Sequence, residues 1–193
     1  MPNEIANIID RSDDAASLLY SQLDRKITIV NFDLHRLQDD MNDSISSSHF
    51  ANTMAKFIPD IRRMAKLPEG CHYAFETVVK LIGNLTQHGG QESPDTMSRE
   101  EITENQHARQ QFFHKMDMEL LDIIERRVDQ RDTWEPQKEL KRLEKNETFL
   151  KEMGLGPYFP DSIGRLREIV EQGGHGGKAY SNGDFNNNNQ NRY

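Results

Sequence analysis

The chain has 193 residues, a formal net charge of -8, and a composition that is 35% apolar and 29% charged. This acidic balance disfavours general binding of nucleic acid, because phosphate repulsion must be overcome before any local contact forms. The high polar content predicts extended helices or disordered ends. No apolar run is long enough to span a bilayer.

Cysteine usage and the first residues indicate where the protein resides. Cys71 is the single cysteine, so an intramolecular disulfide is excluded. This usage is typical of a reducing compartment, and the first residues carry neither the basic region nor the apolar segment of a secretory signal. We therefore expect a cytoplasmic protein that is not inserted in a membrane.

The first long element predicted along the chain is a helix over residues 13–43. Its apolar residues recur at alternating spacings of four and three: Ala16, Tyr20, Leu23, Ile27, Val30, Leu34, Leu37 and Met41. This heptad spacing places them on one stripe, the kind of seam along which helices pair. We predict self-association through the stripe from Tyr20 to Met41, with a homodimer as the expected assembly.

The same helix has a second apolar face. Leu18, Ile29 and Phe32 lie roughly opposite the heptad stripe, where a free two-stranded coiled coil would carry polar residues. Two apolar faces indicate that one packs on helices of the same chain and the other on a second copy or another protein.

Shorter helices are predicted before and after a linker. A helix over 48–58 is broken by Pro59, and a strongly apolar helix follows over 71–87. The composition of residues 89–97 is that of a linker. Ser98 and Glu101 form a capping box, which predicts that the next helix begins there and reaches about residue 131. Its polar first half is expected to project from the body or to face a partner.

The remaining chain is predicted to hold two helices and a tail. Pro136 lies in the first turn of a helix that ends near Gly154, and a last helix covers 161–172. The Gly/Asn-rich segment 173–193 cannot bury enough apolar surface to fold. The expected organisation is therefore a flexible segment 1–12, helical regions 13–88 and 98–172 joined by the linker, and a disordered tail.

Metal binding is one chemistry that the motifs raise. Glu104 and His107 have the Glu-x-x-His spacing found in di-iron bundles, and Glu69 and His72 repeat it. The two further inward glutamates of such a site are missing from obvious positions, and short motifs are weak alone. We expect solvated surface residues, with no metal and no cofactor.

Phosphotransfer and nucleophilic catalysis are less well supported. His35 and His114 lie on long helices, but neither has the small and basic neighbourhood that lets a phospho-donor domain approach. Cys71 and His72 are adjacent, so on a helix their side chains point in different directions. A lone cysteine is usually a small buried hydrophobe.

Aromatic residues raise a second possible docking patch. Trp134, Tyr158 and Phe159 surround the predicted corner between the last two helices. Aromatic side chains are enriched in interface hot spots, although they are more often used in cores. This patch is predicted as a possible partner-docking surface or, alternatively, as a packed corner.

These patterns predict an all-α chain, an elongated helical bundle with a long N-terminal heptad helix and a flexible C-terminal tail. The predicted function is non-enzymatic: a scaffold, adaptor or regulatory assembly factor that binds itself and other proteins. The alternative is a helical-bundle enzyme or signalling protein acting through His or Glu. Inward-facing, partnered Glu104, His107 and His114 would favour the enzyme, whereas their exposure would favour the binding protein.

Overall fold

The computed structural model describes residues 2–41, 46–89, 98–130, 134–152 and 158–176, with side chains described over 15–36, 46–87, 98–128, 134–152 and 158–173. The described residues form helices with no strand, which confirms the predicted all-α class. Seven helices follow in chain order: α1 Pro2–Met41, α2 Ser47–Ala55, α3 Ile58–Met64, α4 Gly70–Gly89, α5 Arg99–Gln130, α6 Pro136–Glu152 and α7 Pro160–Gly176. None of these helices is long and apolar enough to cross a membrane.

α1 begins well before the predicted start at residue 13. It starts at Pro2, because proline suits the first turn of a helix and no glycine or proline interrupts residues 3–41. α7 likewise extends past the predicted end at residue 172, to Gly176. Most of the predicted linker and tail, residues 90–97 and 177–193, lies outside the described residues.

The helix predicted over 48–58 ends earlier, at Ala55, and Pro59 belongs to the restarted helix α3. It lies in the first turn of α3, where its missing N–H would have no helical partner. The turn into α4 needs a glycine, because a Cβ on Gly70 would lie 1.9 Å from the carbonyl oxygen of Met64. Glu69, just before it, has a positive φ of 54°.

The predicted capping box at the start of α5 is confirmed. The backbone N–H of Ser98 donates to Glu101 Oε2 at 2.7 Å, and the backbone N–H of Glu101 donates to Ser98 Oγ at 3.2 Å. The hydrogen bonds from the Ser98 side chain and backbone hold the pKa of the Glu101 carboxyl below its ordinary value. The ionised carboxylate is therefore part of the cap.

A substitution at Ser98 tests this cap. In Ser98→Ala, we expect the pKa of Glu101 to rise toward its ordinary value, because the side-chain hydrogen bond is lost. A carboxyl group whose pKa is lower in the folded state stabilises the fold at pH values above its unfolded-state pKa. This stabilisation is lost as the pH falls through the folded-state pKa. Titration of the carboxyl carbon by NMR measures the change. Ser98→Thr keeps the hydroxyl and should keep the lowered pKa; equal titration of both variants would contradict the assignment.

The polar first half of α5 does not project from the body. It packs against α2, where the backbone N–H of Ser48 donates to Asn105 Oδ1 at 3.4 Å. Asn105 is buried, although most of its neighbours along this half of the helix are exposed. The covering element is therefore another helix of the same chain.

α4 lies at the centre of the fold, packed against α1, α2, α3 and α5. This position agrees with its being the most apolar stretch predicted from the sequence. α5 also packs on α7, which in turn packs on α6. The fully buried side chains come from most of these helices and form one cluster, which includes Ile27, Phe50, Ile61, Phe75, Phe113 and Leu166.

Two buried carboxylates hold the corner that leads into α7. Asp117 of α5 accepts the backbone N–H groups of Asp161 at 3.2 Å and Ser162 at 3.0 Å, in the first turn of α7. Glu147 of α6 accepts the backbone N–H of Tyr158 at 3.1 Å. Asp117 therefore pairs donors in the first turn of α7 that the helix itself leaves unpaired, and Glu147 pairs the N–H of Tyr158 just before that helix.

Candidate interaction surface

The heptad stripe of α1 packs inside the chain. Ala16, Leu23, Ile27 and Leu34 are buried in its own core, and Tyr20 and Val30 are half-buried against it. The side chains of Leu37 and Met41 lie outside the described residues. We call this set the inner stripe. Because the fold already covers it, a second copy would have to contact another face of α1.

α4 covers part of the inner stripe and fixes how α1 is rotated. The rings of Tyr20 and Tyr73 stack with centroids 4.9 Å apart. Lys80 Nζ donates to Asp24 Oδ1 at 2.6 Å and to Thr28 Oγ1 at 2.8 Å. These contacts turn the opposite face of α1 to solvent.

That opposite face carries a second stripe with the same spacing. Leu18, Ile29 and Phe32 are 61%, 50% and 65% exposed. They belong to a set spaced three and four apart, all of whose members are exposed: Ala15, Leu18, Gln22, Arg25, Ile29, Phe32 and Arg36. We call this set the outer stripe. The sequence prediction identified its three large apolar members but missed the regular positions between them, which the same spacing rule could have found.

The outer stripe carries positive charge on an acidic chain. Arg25 and Arg36 are exposed members of the stripe, and the chain has a net charge of -8. No ion pair between described residues involves either arginine. The surface therefore combines large apolar side chains with cations that have no carboxylate partner among the described residues.

The predicted aromatic patch is largely a packed corner. Tyr158 stacks on Phe113 with ring centroids 4.4 Å apart, and Phe159 meets the same ring edge-on at 5.9 Å. Phe159 is fully buried and Tyr158 is half-buried. The structure thus uses both side chains within the chain, which matches the packed-corner alternative.

Trp134 lies apart from these two residues, beside a cleft between α4, α5 and α6. Its Nε1–H donates to Glu139 Oε2 at 2.7 Å, and the guanidinium of Arg127 lies 5.2 Å from its ring centroid. Arg127 also forms a buried ion pair with Glu139, and both side chains are almost inaccessible to solvent. These three residues join the C-terminal end of α5 to the first turns of α6.

The cleft itself, about 410 Å³ in volume, is lined by charges that pair with one another. Besides Arg127 with Glu139, Arg142 pairs with Glu76, and Lys138 pairs with Glu135 at 2.8 Å. Three cations thus face three carboxylates. The lining has no surplus charge with which to hold an ionic ligand.

The residues considered for metal binding do not form a ligand cluster, although Glu104 and His107 line the same surface depressions beside the first half of α5. Glu104, His107 and His114 are exposed, and His107 Nε2 is hydrogen-bonded to Gln111 Nε2 at 2.8 Å. Within the described part of the chain, no group of three or more His, Cys, Asp or Glu side chains could hold a metal ion. Glu69 and His72 are also exposed.

The residues considered for phosphotransfer and nucleophilic catalysis, His35 and Cys71, pack between helices. His35 is half-buried beside the ring of Phe50, with centroids 6.4 Å apart. Cys71 is buried, and its thiol donates to the carbonyl oxygen of Ala65 at 3.2 Å. Both side chains contribute to packing between helices.

The described residues thus form an all-α fold in which α1 presents an outer stripe with three large, exposed apolar side chains. No protein-family model matches the chain, and no curated protein and no solved structure shows significant similarity to it.

Proposed function

We propose that this chain is a non-enzymatic protein-interaction protein that self-associates through the outer stripe of α1. It would act as a scaffold, adaptor or assembly factor in the cytoplasm, where its buried thiol Cys71 stays reduced. The observation that carries the proposal is the exposure of Leu18, Ile29 and Phe32 on one stripe of a helix whose opposite stripe is core.

The arrangement of these side chains favours a docking surface over chance exposure of apolar residues. Single exposed apolar residues are common on protein surfaces and need no explanation. Here three large ones align on one rigid helix, and Leu18 and Phe32 lie about 21 Å apart at 1.5 Å per residue. A rigid helix face of this length, with apolar side chains toward both ends and Gln22 and Arg25 between them, is the form of surface that a second helix covers.

The positions of the chemical candidates also support a binding role. Exposure of Glu104, His107 and His114 is the arrangement expected of solvated helix surface, whereas an enzyme acting through them would turn them inward. The proposal therefore rests on an interface and invokes no reaction.

A charge placed on the outer stripe tests the proposal. In Phe32→Glu, we expect the dissociation constant of the dimer to rise about thirtyfold or more, because each interface loses two phenylalanine rings, a loss of about 2 kcal/mol. Sedimentation velocity over a concentration series up to tens of micromolar measures the change. Circular dichroism should be unaltered, since Phe32 is exposed in the fold.

Phe149→Glu is the matched control. Phe149 is 52% exposed on α6, so it is the same residue type at similar exposure away from the outer stripe. We expect this variant to associate like the wild-type chain. A monomeric wild-type chain at tens of micromolar would overturn the proposal, and so would equal weakening by both substitutions.

A further inference from the structure

We infer that two copies pair antiparallel along their outer stripes, with Leu18 of each copy facing Ile29 of the other. This inference rests on the proposed function and adds the direction and register of the pairing. It follows from the spacing, exposure and charge of seven side chains, all of which the structure places on one face of α1.

The spacing of the outer stripe makes it a seam in its own right. Its members from Ala15 to Arg36 alternate three and four positions apart, and all of them are exposed. Two helices packed along such seams form successive layers, each holding one residue from each helix. Which residues share a layer depends only on the relative direction and offset of the two helices.

A parallel, in-register pair is disfavoured by charge. Every residue would face its own copy, so Arg25 would meet Arg25 and Arg36 would meet Arg36. Arg25 lies near the middle of the stripe, where water would be largely excluded. Two guanidinium groups there would repel each other with little screening and with no carboxylate in the stripe to compensate them.

One antiparallel offset avoids placing each arginine opposite its own copy, because it moves the two Arg25 residues into adjacent layers. When Leu18 faces Ile29 of the second copy, the same offset places Ala15 opposite Phe32 and Gln22 opposite Arg25. Two-fold symmetry repeats each layer, so four layers are apolar on both sides and two pair an amide with a guanidinium. The side-chain carbonyl of Gln22 can accept hydrogen bonds from Arg25. Arg36 lies outside these six layers, opposite residue 11 of the second copy.

Neighbouring antiparallel offsets place the large apolar side chains opposite polar or charged residues. Shifting one heptad in one direction places Leu18 against Arg36 and Phe32 against Gln22. Shifting one heptad in the other direction places Leu18 against Gln22 and Ala15 against Arg25. Because one offset alone among these matches the large apolar residues with apolar partners, the stripe is complementary to itself. Self-complementarity of a single patch is what a two-fold symmetric interface requires, which identifies a second copy as the occupant.

Cysteine cross-linking in the full-length chain tests direction and register. Leu18→Cys and Ile29→Cys are prepared separately, one with an affinity tag, and are mixed under reduction before oxidation. We expect the mixed pair to form a disulfide at least tenfold faster than either variant alone. In the inferred register, two copies of residue 18 are separated by about 16 Å along the axis, far beyond disulfide reach. The wild-type chain, whose Cys71 is buried, is the control.

A charge substitution at Gln22 provides an independent test. Gln22→Glu places a carboxylate opposite Arg25 in both of the symmetric layers of the antiparallel dimer. It should lower the dissociation constant at least threefold at low salt, an effect that salt reduces. In a parallel, in-register pair, the same substitution would place the two new carboxylates opposite each other and would weaken association. Gln22→Arg is the control of opposite charge, and it should weaken the antiparallel dimer because it places a second arginine opposite Arg25.

The outcomes separate this inference from the proposed function. Preferential mixed cross-linking together with tighter association of Gln22→Glu supports the register. A dimer in which Leu18→Cys cross-links to itself, or in which neither variant cross-links, overturns the register but leaves self-association intact. A wild-type chain that sediments as a monomer at tens of micromolar overturns both.

Discussion

Replacing Glu139 with alanine is expected to lower the free energy of unfolding by about 3–5 kcal/mol, because it leaves a buried guanidinium without its carboxylate. Only 6% of the Arg127 side chain and 11% of the Glu139 side chain are accessible to solvent. Glu139 also accepts the Nε1–H of Trp134 at 2.7 Å, so the substitution leaves a second donor unpaired. Urea denaturation followed by circular dichroism measures the loss.

Two comparisons make this prediction specific. Glu135→Ala removes a carboxylate four positions away, where 65% of the Glu135 side chain is exposed, and should change stability by no more than about 0.5 kcal/mol. The double variant Arg127→Met/Glu139→Leu should recover much of the loss, because it removes both charges and keeps the volume. If Glu139→Ala cost no more than Glu135→Ala, the buried pair would not be stabilising α6.

Replacing Asp117 with alanine is expected to cost about 2–4 kcal/mol. The carboxylate is 1% exposed and accepts two backbone N–H groups at the start of α7. Hydrogen bonds to a charged group contribute about 1.5–3 kcal/mol each, and relief from burying the charge offsets part of that sum. Amide hydrogen exchange of α7, together with urea denaturation, measures the effect. The first turn of α7 should lose protection most.

Asp122→Ala serves as the control for Asp117. Asp122 lies on the same helix and pairs with Arg126 at 2.8 Å, but half of its side chain is exposed. Its removal should change stability by no more than about 0.5 kcal/mol and should leave exchange in α7 unaltered. Similar exchange in both variants would show that Asp117 does not anchor α7.

The helices were predictable because their signals are local. Pro59 and Pro136 lie in first turns, and the capping box of Ser98 and Glu101 has both of its hydrogen bonds. Each signal acts within a few residues, so the sequence alone is sufficient to read it. The predicted start of α1 was late because polar residues before Asp13 weaken the apolar pattern without breaking a helix.

The features that tie helices together were not predictable in this way. Asp117 and Ser162 are 45 positions apart, and nothing in the sequence near either one indicates that they meet. The polar first half of α5 suggested an exposed helix, yet Asn105 is buried against α2. Which stripe of α1 faces inward also depends on α4. The sequence showed two apolar faces, and the contacts of Tyr73 and Lys80 decide between them.

The single outer stripe also limits the stoichiometry of the proposed assembly. In a two-fold pair, each copy presents one binding surface and uses it fully, so its valency through α1 is one. The inner stripe offers no second contact, because the core of the same chain covers its described residues. Raising the concentration would therefore fill a closed dimer and would not extend a filament.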